Sequence, residues 1–284
     1  MKTILVPTDF SKSSKVAVSY AIGLAKKVEA KIVLLSVITS SPSSMATENF
    51  KKLEASMVKA AQQDADKLLD EFKTEKGKVS ISYQQVMGFP VVDKIEQFAT
   101  KNKVDFIVMG SKGASGLKKV LVGSNASAVI DNSSVPVIIV PEDVKFKPIK
   151  KMVYATDAQN FEKELKAVAG IAQMLDASLE VVHVMPEKPL KKETNSKEAA
   201  ISREKLIAMA RYPKIHLHII RDKSVVHGVD HFVETQKTDL LAMFTHRLDF
   251  KEKMFGKSVT RKMALDNNVP LLTFNKTNFK PGGK

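Results

Sequence analysis

The chain carries one series of landmarks twice, and that duplication restricts its fold more than any other feature. Residues 2–9, KTILVPTD, return as residues 150–157, KKMVYATD, each a short apolar run ending in Thr-Asp. The runs Ala30–Val37 and Ala177–Val184 follow in the same order, then Val104–Met109 and Thr238–Met243. Each half closes on Val-Pro and an apolar segment, Val135–Val140 and Val269–Phe274. Pro-Glu-Asp and Lys-Phe-Lys-Pro interrupt the pattern between Pro141 and Pro148. Two domains are therefore expected, 1–143 and 149–276, which suits a length of 284 residues.

Within the first copy, apolar runs alternate with helical periodicity. Ile4–Val6, Lys31–Ile38, Val79–Val86, Val104–Met109 and Val137–Val140 read as five strands. Between them, Val16, Ala17, Tyr20, Ala21, Leu24 and Ala25 repeat at helical spacing, with Ser11 or Ser13 as the cap. Residues 46–74 carry Phe50, Leu53, Met57, Ala61, Leu68 and Phe72 on one stripe, and helices are expected at 91–101 and near 117–131. Val-, Ile- and Leu-rich strands alternating with helices imply a parallel sheet covered on both faces. Ligands of such sheets bind at the carboxyl edge of the strands.

Composition removes several alternatives. The chain has no cysteine, which excludes disulfides, thiolate metal sites and a cysteine nucleophile. The formal charge is +14, but no arginine precedes residue 203 and tryptophan is absent, so the excess reads as a solvated lysine surface and argues against nucleic acid as the main partner. The N-terminal MKTILVPTDF meets Pro7 and Asp9 before a signal-length apolar region forms, and no run has the length of a membrane span. A cytoplasmic protein is the expectation.

The loop after the fourth strand holds the chemistry. Met109-Gly110-Ser111-Lys112-Gly113 follows that strand directly, and Gly123-Ser124-Asn125-Ala126-Ser127 begins ten positions after Gly113. Gly110 and Gly113 permit positive φ and close approach of a ligand to main-chain N–H groups. Gly123 and Ser124 precede a helical stretch, whose free amides and dipole favour phosphate. No Gly-Lys-Ser/Thr follows a strand at P-loop spacing.

With Pro7-Thr8-Asp9 after the first strand and Val37 ending the second, this glycine pattern resembles the nucleotide-binding branch of the universal stress protein family, and two tandem copies cover essentially the whole chain. The resemblance implies two five-stranded parallel α/β domains of the Rossmann-like, adenine nucleotide alpha hydrolase-like kind. It implies ATP or another adenine nucleotide, carried with Mg2+, at the carboxyl edge of the first. Asp9 and Val37 would hold the adenosine end. Met109, Gly110 and Gly113 would face ribose and phosphates, and Gly123, Ser124, Asn125 and Ala126 would complete the cradle. Lys112 joins on charge alone, against the alternative of a solvent-facing loop lysine. Asp9 has an alternative too, as a cap of the following helix, since it recurs as Asp157 where the glycines are lost. The resemblance also implies that the two halves pack as a pseudo-twofold pair, with a homodimer as a further option.

The second copy departs from the pattern. Aligned without gaps, Gly110 falls on Phe244, Gly113 on Arg247 and Gly123 on Lys257, and only Ser124 keeps its type as Ser258, while a shift of one residue would instead pair Gly123 with Gly256. One competent site per chain is the expectation, against a cationic anion site built from His246, Arg247 and Lys257. All six histidines lie in this half. His227 and His231 are four apart on an expected helix, and His216 and His218 share one strand face, yet no ligand motif includes them and no metal site is expected. No triad, carboxylate pair or nucleophile elbow can be named, so no catalytic residue is assigned. The expected function is a regulatory, stress-response nucleotide-binding protein. A weak ATPase and a nucleotide-free interaction scaffold are the alternatives.

Overall fold

The computed structural model describes residues 1–39, 48–112, 123–187, 202–245 and 268–275. The chain divides into two compact units, the first built on Met1–Lys147 and the second beginning at Pro148. Among the described residues no helix is long and apolar enough to cross a membrane.

The first unit alternates strands and helices in the order β1 (Lys2–Pro7), α1 (Lys12–Val28), β2 (Ala30–Ile38), α2 (Glu48–Glu71), α3 (Lys73–Lys76), β3 (Ile81–Met87), α4 (Val91–Lys101), β4 (Phe106–Gly110), α5 (Ser124–Asn132) and β5 (Val137–Val140). The strands lie in the order β3-β2-β1-β4-β5, and every neighbouring pair is parallel. Ile4 sits in register with Ile32 on one side and Phe106 on the other. The order reverses direction between β2 and β4, on either side of β1, which opens a crevice at their carboxyl ends. Ile4, Leu5, Val6, Leu34, Leu35, Ile107 and Val108 are wholly buried, as a sheet covered on both faces requires.

Ser11, not Ser13, caps α1, accepting the Ser14 amide at 3.3 Å. Ala17, Tyr20, Ala21, Leu24 and Ala25 form its buried face, as the spacing of apolar residues predicts. The stripe expected over 46–74 is divided between α2 and α3, and it is only partly core. Ala65, Leu68 and Phe72 are buried, whereas Leu53 and Met57 are exposed. The helix expected near 117–131 starts at Ser124 among the described residues.

The segment after β5 folds back as a strap. Its turn is closed by the Val144 amide bonding Pro141 O at 3.1 Å. Phe146 lies edge-on to Tyr20 with ring centroids 5.2 Å apart. It enters a notch at Gly23 of α1, where an added Cβ would lie 2.1 Å from the Phe146 ring.

The second unit runs β6 (Lys151–Thr156), α6 (Phe161–Leu175), β7 (Ser178–Pro186), α7 (Arg203–Ala210), β8 (Ile215–Asp222), α8 (Val225–Thr235), β9 (Leu240–Thr245) and β10 (Leu271–Asn275). Its order, β10-β9-β6-β7-β8, repeats the topology of the first unit. The duplicated Asp has a structural role in both copies. Asp105 Oδ2 accepts the Thr3 amide at 2.7 Å, and Asp239 Oδ2 accepts the Lys150 and Lys151 amides at 2.9 and 3.0 Å. Each carboxylate thus pins the start of its unit's first strand to the fourth, with a charge-assisted bond to backbone N–H.

Candidate functional site

The turn that leaves β1 is set by short-range hydrogen bonds. Thr8 is buried; its amide bonds Leu35 O at 2.8 Å, and its hydroxyl donates to Ser14 Oγ at 3.0 Å. That hydroxyl also accepts the Phe10 amide at 3.0 Å, which holds Phe10 at φ +61°. Asp9 is exposed, and its Oδ1 accepts the Ser11 amide at 3.1 Å. Asp9 therefore shapes the turn before the cap rather than capping α1 itself.

A cleft of about 610 Å³ opens where this turn meets the ends of β2 and β4, a size usual for small-molecule sites. Pro7, Thr8, Asp9, Val37, Met109, Gly110, Lys112, Gly123, Ser124, Asn125 and Ala126 all line it. These residues come from four separated stretches of sequence, and the sheet brings them together. Gly113 lies outside the described residues. The β2 end and the β4 end of the cleft stand two strand spacings apart, about 10 Å.

Gly110 differs from its expectation. It does not adopt positive φ; among the described residues the positive-φ glycines are Gly77 and Gly88. Its missing side chain is used instead by α1, because a Cβ there would lie 2.2 Å from Ser13 Oγ and 2.5 Å from Ser13 O. That approach lets Ser13 Oγ accept the Lys112 amide at 3.2 Å, so the loop residue is fixed to the helix. Gly123 is also tied to this stretch, its amide bonding Ser111 O at 2.8 Å.

At the β4 end, Gly123 is the N-cap of α5 and no side chain caps that helix. Ser124, Asn125 and Ala126 follow at its first turn, where amides lack intrahelical acceptors and the dipole favours negative charge. Lys112 brings an ammonium to the same end, with Nζ 3.0 Å from Glu142 Oε2. Glu142 Oε1 is 3.3 Å from Lys12 Nζ. Hydrogen bonds from Lys112 and then Lys12 hold the Glu142 carboxyl below the usual carboxylate range.

The other end is apolar, and much of it escapes sequence reasoning. Met57, Ala60 and Ala61 of α2 and Val91 and Ile95 of α4 face Val37 and Ile38 across it. Asp64 and Ser36 add polar atoms, and Ser36 Oγ lies 2.6 Å from the Tyr83 hydroxyl. Burial raises the Tyr83 pKa, so the phenol stays protonated. The one signal was the apolar stripe of α2 continuing at Met57 beyond the Ala65–Leu68–Phe72 face that the sheet buries.

The same edge of the second unit is filled differently. Phe244, aligned with Gly110, packs against Tyr154 with ring centroids 6.0 Å apart. The buried Tyr154 hydroxyl donates to Glu164 Oε2 at 2.5 Å and lies 3.2 Å from Thr156 Oγ1. Burial, then Glu164, push the Tyr154 pKa far up. His246, Arg247 and Lys257 lie outside the described residues. His216 and His218 do share a face, and β7 supplies the carboxylate no motif contained: Glu180 Oε1 is 3.3 Å from His216 Nδ1, and Oε2 is 2.8 Å from His218 Nε2. His227 pairs with Asp222 at 2.8 Å, which lowers the Asp222 pKa together with the Ser224 amide. Among the described residues no group of three or more His, Cys, Asp or Glu could hold a metal ion.

A parallel α/β sheet with its cleft at the reversal of strand order is the architecture of a Rossmann-like ligand-binding protein. The universal stress protein family model matches residues 1–141. Universal stress protein MJ0531 of Methanocaldococcus jannaschii is 36% identical over 145 residues, covering 51% of this chain and 84% of that protein. Universal stress protein Slr1230 of Synechocystis sp. is 26% identical over 303 residues, covering 96% of this chain and 100% of that one. The crystal structure of a universal stress protein from Archaeoglobus fulgidus shares the fold with a TM-score of 0.70 at 21% identity, covering 96% of each chain. The chain belongs to the universal stress protein family.

Proposed function

We propose that domain 1–143 binds ATP or another adenine nucleotide, one per chain, and that the protein is a regulatory, stress-response nucleotide binder. The observation that carries this reading is the convergence of Pro7–Asp9, Val37, Met109, Gly110, Lys112 and Gly123–Ala126 on one cleft with an apolar end and a cationic, amide-rich end. Asp9 and Val37 would take the adenosine, with the α2 and α4 apolar wall against the base. Gly110 and Lys112 would face ribose and phosphates, and Gly123, Ser124, Asn125 and Ala126 the phosphate chain. Gly113 is assigned to the same end by the family pattern. Mg2+ would ride on the phosphates, because the described residues supply no ligand cluster of their own.

Domain 149–276 is assigned no nucleotide, because Phe244 and Tyr154 pack together at the edge that corresponds to Gly110. Calorimetric titration of Mg-ATP into the wild type and Ser124→Glu tests the reading. Ser124 is exposed at the first position of α5, where a carboxylate suits the helix dipole and leaves folding intact. That carboxylate repels phosphate. One site per chain in the wild type is expected, with affinity lowered roughly tenfold or more in the variant. Two sites, or unchanged affinity in Ser124→Glu, would overturn the assignment.

A further inference from the structure

Among the described residues, Lys112 is the lysine that lines the cleft, and it already holds an anion from its own chain. Its amide is fixed on Ser13 Oγ at 3.2 Å, so its ammonium swings from an anchored base. Glu142 occupies that ammonium at 3.0 Å and draws Lys12, the first residue of α1, to its other oxygen at 3.3 Å. The carboxylate does not itself line the cleft; it stands behind Lys112, only 22% exposed, as the second residue of the strap. The far end of the strap is Phe146 in the Gly23 notch, eleven residues along α1 from Lys12 and so about 16 Å away. The strap thus has two anchors on α1, one ionic and one aromatic.

We propose that Glu142 is a resident counter-anion for the cleft, which a nucleotide's phosphate chain displaces from Lys112, leaving the ionic end of the strap held by Lys12 alone. This rests on reading the cleft as an adenine nucleotide site. A phosphate chain offers several charged oxygens where Glu142 offers one carboxylate, so it outcompetes the carboxylate once it is brought near by the rest of the ligand. A ligand without phosphate has nothing with which to displace Glu142. The pair therefore grades affinity by ligand charge, and it converts occupancy of the phosphate end into loosening of the strap that follows β5.

The test compares wild type and Glu142→Gln, an isosteric change at the protein surface, for binding of ATP, AMP and adenosine. Removing the competing charge should tighten ATP by about threefold to tenfold, AMP by less, and adenosine by under about twofold, with a steeper salt dependence. Hydrogen exchange over 141–147 should rise when ATP is added to the wild type. In Glu142→Gln it should start high and respond little. Weaker ATP binding in Glu142→Gln would make Glu142 an anchor of Lys112 and overturn the proposal, as would equal affinity with an unresponsive strap. Should the wild type bind neither ATP nor adenosine, the nucleotide reading itself fails and the proposal with it. ATP binding to wild type with no change in Glu142→Gln sinks the proposal alone.

Discussion

Gly110→Ala separates two accounts of a glycine in a binding loop, one in which it makes room for a ligand and one in which it makes room for the fold. The added Cβ would lie 2.2 Å from Ser13 Oγ, 2.5 Å from Ser13 O and 2.8 Å from Ser13 C. A hydroxyl can rotate away, but the carbonyl belongs to the first turn of α1, so β4 and the helix must separate by several tenths of an ångström. Overpacking of this kind costs about 1–3 kcal/mol. Alanine's freedom from the backbone entropy of glycine returns at most about 1 kcal/mol. Hydrogen exchange of peptides from β1, α1 and β4 reads the first unit by itself. Because the clash is with backbone, the cost falls in the upper part of that range, about 2–3 kcal/mol, and the net loss of about 1–3 kcal/mol lowers protection there roughly fivefold to 150-fold, while β6–β9 stays as in the wild type. Adding Ser13→Gly should restore only part of the loss, because it removes Oγ and leaves the carbonyl. Protection in Gly110→Ala within twofold of the wild type would refute the packing account and return Gly110 to the ligand.

Two further perturbations act on single units. Asp105→Ala and Asp239→Ala each delete the charge-assisted acceptor that starts a first strand, and each should lower the stability of its own unit by about 1–3 kcal/mol in urea titrations; an unchanged midpoint would make the duplicated Asp incidental. Tyr154→Phe should destabilise the second unit at neutral pH by about 1–3 kcal/mol, because Glu164 loses a buried donor. Its pH dependence has a definite sign: the folded-state pKa of Tyr154 is raised, so its contribution is complete below the unfolded phenol's value near 10 and declines as pH rises beyond it. The alkaline decline followed by circular dichroism should be shallower in Tyr154→Phe, and an equal decline in both proteins would refute the assignment.

The sheet and the order of its elements were legible because burial on both faces writes continuous apolar runs such as Ile4–Val6 and Val137–Val140 into the sequence. The membership of the cleft was legible chiefly through the family resemblance, and it agrees with a parallel sheet that delivers the carboxyl ends of its strands to one edge. What escaped depends on side-chain partners far apart in sequence. Glu142 follows the last strand in what reads as a linker, and nothing local ties it to Lys12 or Lys112. Glu180 stands one strand away from His216 and His218, and only the β7–β8 register brings them together. Gly110 is ambiguous in sequence for the same reason, since a requirement for no Cβ looks the same whether a ligand or Ser13 imposes it.

The two copies also show which part of the repeated motif belongs to the fold. Thr8 and Thr156 each accept the amide two residues on, Asp9 and Asp157 do the same, and Phe10 and Ala158 share φ near +61° and +64°. The Thr-Asp turn is therefore part of how this sheet hands its first strand to a helix, and it persists in the copy whose edge Phe244 and Tyr154 occupy. Its presence cannot distinguish a binding edge from a closed one. Other residues diverge, and they diverge together: Tyr154 stands where the first copy has Val6, Phe244 where it has Gly110, and Glu164 receives the Tyr154 hydroxyl. Tyr154 contacts both Phe244 and Glu164, so exchanging Phe244 alone for glycine would leave the Tyr154–Glu164 pair in place.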